Sequence, residues 1–259
     1  MEGPKGRWQA ADTAYLANVP DEYKSKFALY FARIYSIRQG FRYSESNQLI
    51  SNFKKDIEHS SRGELYYKGQ AVTTFADELT ELLRGIYSQR SSSNWEHAGT
   101  MADLLDQPEM TPALYSEPPS TILVPIPPSS RKDSPQYDDR VEKVASLVAE
   151  RLPYVYCAPI VKTWKDRQPL RLSRHRRWQD VYESIEIDHD QPGLVESVVE
   201  MERTMRSEIV VLDDVLTSGA SFYAVALKLK EELDIDVATG LFWARAEYVY
   251  DEYYDDCSF

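Results

Sequence analysis

The chain has 259 residues, with 30 Lys+Arg against 42 Asp+Glu and a formal net charge of −12, which argues against broad coating of nucleic acid or anionic membrane. Apolar residues at 42% with 12% aromatics exclude a disordered chain, and no apolar run nears the roughly 20 residues that a membrane helix needs. The two cysteines, Cys157 and Cys257, have no C-x-x-C or neighbouring His, which excludes a zinc cluster and a disulfide framework and fits a reducing, cytoplasmic setting.

The N-terminal part reads as helical. Phe27, Phe31, Ile34 and Ile37 recur at helical spacing, predicting a helix over 26–37 stopped by Gly40. Ser46 is a candidate cap for a second helix, with Leu49, Ile50, Phe53 and Ile57 inward. Val72, Phe75, Ala76, Leu79, Leu82, Leu83 and Ile86 predict a third helix over 70–87. Serines 91–93 with Asn94, then Pro108, Pro112, Pro118 and Pro119, mark a linker. The expected division is a helical region over 1–115, open as a docking module for a protein partner, and a second domain over 116–259.

Beyond the linker the period changes. The apolar run 121–126 predicts a strand buried on both faces, and Val141, Val144, Ala145, Val148 and Leu152 predict a helix. Residues 154–161 read as extended, 181–187 as a strand, 209–212 as a strand ending at Asp213-Asp214, 221–232 as a helix, and 237–243 as a strand. Strands alternating with helices imply an α/β fold, a parallel twisted sheet with helices on both faces. Ligands in such sheets sit beyond the carboxyl ends of the strands, here the loops 127–134 and 213–221.

The segment Ile209-Val-Val-Leu-Asp-Asp-Val-Leu-Thr-Ser-Gly-Ala-Ser221 carries the strongest chemistry. A buried strand delivers Asp213 and Asp214 to its open end, and a turn of Thr217, Ser218, Gly219, Ala220 and Ser221 leads into a helix. Free amides and short hydroxyls at a helix start suit a phosphate. Adjacent carboxylates suit the vicinal hydroxyls of a sugar, or Mg²⁺ held through water. Together they describe a ribose 5-phosphate site.

All thirteen residues of this segment resemble the phosphoribosyl pyrophosphate (PRPP) motif of type I phosphoribosyltransferases, closest to the ComF-type, competence-associated branch. Two looser stretches are similar to that branch: Leu123-Val-Pro-Ile-Pro-Pro-Ser-Ser-Arg131, followed by Tyr137-Asp-Asp-Arg140, and the run from Gln168 to Tyr182. The resemblance covers about residues 121–246 and omits the N-terminal hundred; the cysteine zinc module common in that branch is not seen. It implies a phosphoribosyltransferase fold that binds PRPP with Mg²⁺ and transfers phosphoribose to a nucleobase-type acceptor, releasing pyrophosphate, and by family habit a homodimer. It places Asp213 and Asp214 on the ribose hydroxyls and, through water, on the metal. The turn 217–221 would hold the 5-phosphate, and Ser129, Ser130, Arg131, Arg167, Arg171 and Arg174 the pyrophosphate. Purine-salvage members that carry an acid three residues after the acidic pair use it on the base; Thr217 stands there in this chain, as in orotate-type and ComF-type loops. A cis bond at Pro127 or Pro128, found in this loop in family members, and an ordinary trans turn are both open. Phe242, Trp243 and Tyr248 follow the last strand, where the family often stacks a base, although alternation between core and surface accounts for the first two more simply.

Lys162, Lys165, Arg167, Arg171, Arg174, Arg176 and Arg177, offset by Asp166, give the segment 162–177 a balance of +6, leaving −18 on the remainder. Such a block calls for an anionic partner. A loop closing over pyrophosphate, a nucleic-acid contact with Trp164 and Trp178 stacking on bases, and a pairing with the acidic tail 247–256 all remain open. A catalytically silent PRPP- or nucleotide-binding regulator in nucleic-acid handling is the alternative to an active transferase.

Overall fold

The structure is a computed structural model that describes residues 8–12, 16–92, 119–167 and 177–248. A short strand β1 (Gln9–Ala10), a helical turn α1 (Asp21–Lys24) and a long strand β2 (Ala28–Ile37) precede the helices α2 (Glu45–Phe53) and α3 (Arg62–Ser92). Then come β3 (Thr121–Pro125), α4 (Arg140–Arg151), β4 (Val155–Cys157), β5 (Val161–Thr163), α5 (Trp178–Tyr182) and β6 (Ile185–Ile187). The last elements are α6 (Pro192–Met205), β7 (Glu208–Leu216), α7 (Ala220–Leu233) and β8 (Thr239–Tyr248).

Six strands form one sheet in the order β1-β2-β8-β7-β3-β4. The β1–β2 pair is antiparallel and every other pair is parallel, so the sheet is mixed but mostly parallel. β5 and β6 form a separate antiparallel pair. Helices cover both faces. Tyr30, Val210, Leu212, Leu241 and Trp243 pack with the buried sides of α2, α3 and α4. Phe31, Ile122, Val124, Val211 and Phe242 pack with those of α6 and α7. Alternate residues of one strand therefore enter different cores, as a two-residue period requires. Phe242 and Trp243 are both core residues.

The expected helix over 26–37 is instead β2, so the N-terminal part contributes a strand hairpin to the sheet beside its helices. The spacing of Phe27, Phe31, Ile34 and Ile37 fits a helix, but Leu29, Tyr30, Phe31, Ala32 and Arg33 are all buried. A continuous run of large residues buried on both faces is what an interior parallel strand needs. β2 supplies it, paired with β8 from Ala28↔Thr239 to Ile37↔Tyr248.

Smaller departures have local causes. α2 is capped by Ser44 rather than Ser46, with the Asn47 N–H donating to Ser44 Oγ at 3.0 Å, and Ile57 is exposed beyond its end. α3 starts earlier than its apolar spacing suggests because Ser61 and Glu64 form a reciprocal capping box, with amide-to-side-chain bonds of 2.9 and 3.3 Å. Residues 181–187 split into the end of α5 and β6. β7 runs past the two acids to Leu216, still paired to β8, while its pairing with β3 stops at Pro125↔Leu212. Helix α6, opened by Pro192, was not expected. No peptide bond is cis among the described residues, so Pro127 and Pro128 are trans. Among those residues no helix is long and apolar enough to cross a membrane.

Candidate functional site

The site lies where the sheet connections diverge. From β3 the chain proceeds through α4 to β4 on one side, and from β7 through α7 to β8 on the other. β3 and β7 are parallel neighbours, and in such sheets ligands sit beyond the strand ends at the point where the connections diverge. The loop after β3 lies on one side of that point and the segment 213–221 on the other.

Asp213 and Asp214 are consecutive strand residues and face opposite sides of the sheet. Asp214 is 6% exposed and ion-paired on both oxygens. Arg140 donates to its Oδ2 from Nε at 3.2 Å and Nη2 at 2.8 Å, and Lys54 Nζ stands 3.4 Å from Oδ1. Arg140 also donates to Asp138 Oδ2 at 2.6 Å, and Lys68 donates to the same oxygen at 2.7 Å. Lys68 further donates to the carbonyls of Phe53 and Lys55, at 3.1 and 2.7 Å. The end of α2, the first turns of α3, the start of α4 and β7 are thus joined by one chain of charges. Burial alone would raise the Asp214 pKa, but Lys54 and Arg140 outweigh it and hold the carboxyl low.

Asp213 differs. Its Oδ1 accepts from the Asp214 N–H at 2.7 Å, and its Oδ2 makes no hydrogen bond or ion pair to the described residues. Burial and the adjacent Asp214 charge push its pKa up. Of the two acids, Asp213 has the uncommitted oxygen.

The turn after β7 is shaped by Gly219, at φ +75° in the left-handed region. A Cβ there would lie 2.6 Å from Leu16 Cδ2 and 3.2 Å from Val19 Cγ2, so glycine is needed for space as well. The segment 16–19 lies against this turn, with the Asn18 N–H donating to the Ser218 carbonyl at 3.3 Å. Thr217 is exposed, Ser218 and Ser221 are half-buried, and Gly219 and Ala220 are buried. Among the described residues, no amide from Ser218 to Ser221 has an acceptor, as the first turn of a helix leaves them.

In the loop after β3, Ser129 and Ser130 are half-buried and Arg131 is exposed. Arg167 is turned inward, with Nη2 donating to the carbonyls of Pro127 and Pro128 at 3.3 and 3.0 Å. Arg171 and Arg174 lie outside the described residues, as do the rest of 168–176 and the tail beyond Tyr248. Of the basic block's described part, Lys162 pairs with Glu186, Asp188 and Asp190. Trp164 is 48% exposed with its N–H on the Glu183 carbonyl, whereas Trp178 packs edge-on against Tyr223.

Sequence reasoning missed Lys54, Lys68 and Asp138 as neighbours of the acids, because topology brings them there from α2, α3 and the loop before α4. Among the described residues, no three His, Cys, Asp or Glu side chains cluster to hold a metal unaided. The donor set fits a divalent cation held through water by Asp213, with ligand oxygens completing its shell. Asp214 is already balanced by Lys54 and Arg140, which weakens its pull on a cation. In comparisons with known proteins, the chain matches no family model and no curated sequence.

Proposed function

We propose that this chain is a phosphoribosyltransferase-like protein of the type I fold, which binds PRPP with Mg²⁺ and transfers phosphoribose to a nucleobase-type acceptor. The observation that carries the reading is an uncommitted Asp213 beside the acceptor-free amides of 218–221 at a sheet switch point. The amides and hydroxyls of 217–221 bind the 5-phosphate. Asp213 accepts from the ribose hydroxyls. Asp214 acts through Lys54 and Arg140, fixing the base of the site. Mg²⁺, when bound, neutralises pyrophosphate charge.

In the reaction, the C1–O bond to pyrophosphate breaks with its electron pair leaving on oxygen. An acceptor ring nitrogen forms the new bond to C1, and its proton passes to solvent. The protein supplies position and charge rather than covalent chemistry. One observation favours the alternative, a catalytically silent PRPP- or nucleotide-binding regulator in nucleic-acid handling: both oxygens of Asp214 are already engaged.

Thermal shift with PRPP and Mg²⁺ tests binding, since a ligand at 100 times its Kd stabilises by about 2.7 kcal/mol. A panel of nucleobases read by pyrophosphate release then separates transferase from regulator. No shift with PRPP and Mg²⁺ but a shift with single-stranded DNA defeats the transferase and leaves the regulator.

A further inference from the structure

The β3-exit loop has its anion-binding groups occupied by the chain's own carboxylates. The main-chain N–H of Arg131 donates to Asp166 Oδ1 at 2.7 Å, and its Nη2 donates to Asp133 Oδ2 at 2.9 Å. Beside it, Lys132 donates to Asp188 Oδ2 at 2.8 Å. These contacts are not alike. Asp188 is 2% exposed and is also held by Lys162 and Gln191, so it is a fixed tie between the loop and the end of β6. Arg131, Asp133 and Asp166 are all exposed, so their two bonds exchange readily with solvent and solutes.

Asp166 is delivered to the loop by the backbone. Thr163 Oγ1 donates to the Pro128 carbonyl at 2.6 Å, and the Arg167 N–H donates to the Ser129 carbonyl at 2.8 Å. Together with the Arg167 guanidinium bonds, these lay 163–167 along 127–131 and set the Asp166 carboxylate on the Arg131 amide. A carboxylate oxygen on a main-chain N–H, with a second on the adjacent guanidinium, makes the contacts that two phosphate oxygens would make.

We propose that Asp166 and Asp133 are internal stand-ins for an anionic ligand, and that a pyrophosphate group enters the β3-exit loop by displacing them. The inference rests on the proposed PRPP-binding function and on the family resemblance that places pyrophosphate at Ser129, Ser130 and Arg131. Each bond given up to a carboxylate is remade to a phosphate oxygen, and the carboxylates return to water. The apparent affinity is then a difference between two anions competing for one seat. Removing the internal competitor tightens binding, an effect opposite to that of losing a ligand contact.

The test is calorimetric titration of the full chain with magnesium pyrophosphate, comparing wild type, Asp166→Ala, Asp133→Ala and the double variant. All of these alter exposed residues, and melting temperatures verify folding. The double variant is expected to bind ~3- to 10-fold tighter than wild type, with each single change in between. Asp236→Ala removes an 84%-exposed acid from the turn before β8, at the other end of the sheet, and controls for net charge. No gain in the double variant, or an equal gain in Asp236→Ala, overturns the proposal. Ribose 5-phosphate, which does not use this loop, is titrated in parallel. If it binds wild type but the pyrophosphate gain is absent, this inference alone falls. If it fails to bind, the functional reading falls.

Discussion

The two adjacent acids should respond oppositely to loss of charge. Asp214→Asn leaves Arg140 and Lys54 facing a neutral amide where the native side chain is 9% exposed. Breaking a buried ion pair costs about 3–5 kcal/mol. Arg140 keeps Asp138, and Lys54, with 36% of its side chain exposed, can turn to water, so the expected loss falls to about 2–3 kcal/mol. For a chain of this length that lowers Tm by about 5–10 °C. Asp213→Asn keeps an Oδ1 acceptor for the Asp214 N–H and removes a charge that burial and Asp214 disfavour. Its expected change is within about 0.5 kcal/mol of wild type, or stabilising. The pH dependences differ in sign. A carboxyl held high contributes stability that is lost as pH rises above the ordinary value of 3.8, whereas the low-held Asp214 contributes stability that is lost as pH falls below it. Asp213→Asn should therefore gain on wild type as pH rises, and Asp214→Asn should lose least relative to wild type in acid. Urea unfolding across pH measures both. Equal destabilisation by the two variants, or a larger loss for Asp213→Asn, would refute the assignment of one acid to structure and the other to ligand.

Two further changes probe the frame around the site. Gly219→Ala places a Cβ against Leu16 in left-handed backbone and should destabilise by about 2–4 kcal/mol in chemical denaturation, weakening ribose 5-phosphate binding with it. A loss below about 1 kcal/mol would show that the 16–19 segment does not press on the turn. Glu78→Ala should lose about 3–5 kcal/mol, because Glu78 accepts from Trp243 Nε1 at 2.8 Å and is the buried partner of Arg33; a loss near zero in urea would mean that water or another group replaces it.

Legibility followed the range of the forces. The strand–turn–helix around Asp213 was readable because its information is local: an apolar run, two acids, small residues and an apolar helix. The placing of the loops 127–134 and 213–221 after parallel strands followed from the alternation of strands and helices. β2 was misread because Phe27, Phe31, Ile34 and Ile37 fit a helical period while a run buried on both faces has no alternation of its own, and only the partner strand β8 decides between them. The continuation of β7 to Leu216 has the same origin, since β8 keeps pairing after β3 has left. By contrast, Ser61 and Glu64 were a local capping signal open to notice before α3. The ion pairing of Asp214 was not legible, because Lys54 and Arg140 are far from it and from each other in sequence and are brought together only by packing.

The pairing of β2 with β8 has a consequence for how the protein is made. Ala28 lies opposite Thr239, a separation of 211 residues. During synthesis, β2 is finished long before the strand that flanks it on the inner side has left the ribosome. Its large residues wait without their permanent neighbour, so closure of the sheet is a late, non-local event, slow by the usual relation between contact separation and rate. A stalled or shortened nascent chain would leave β2 paired with β1 on one edge and open on the edge that β8 covers in the finished sheet.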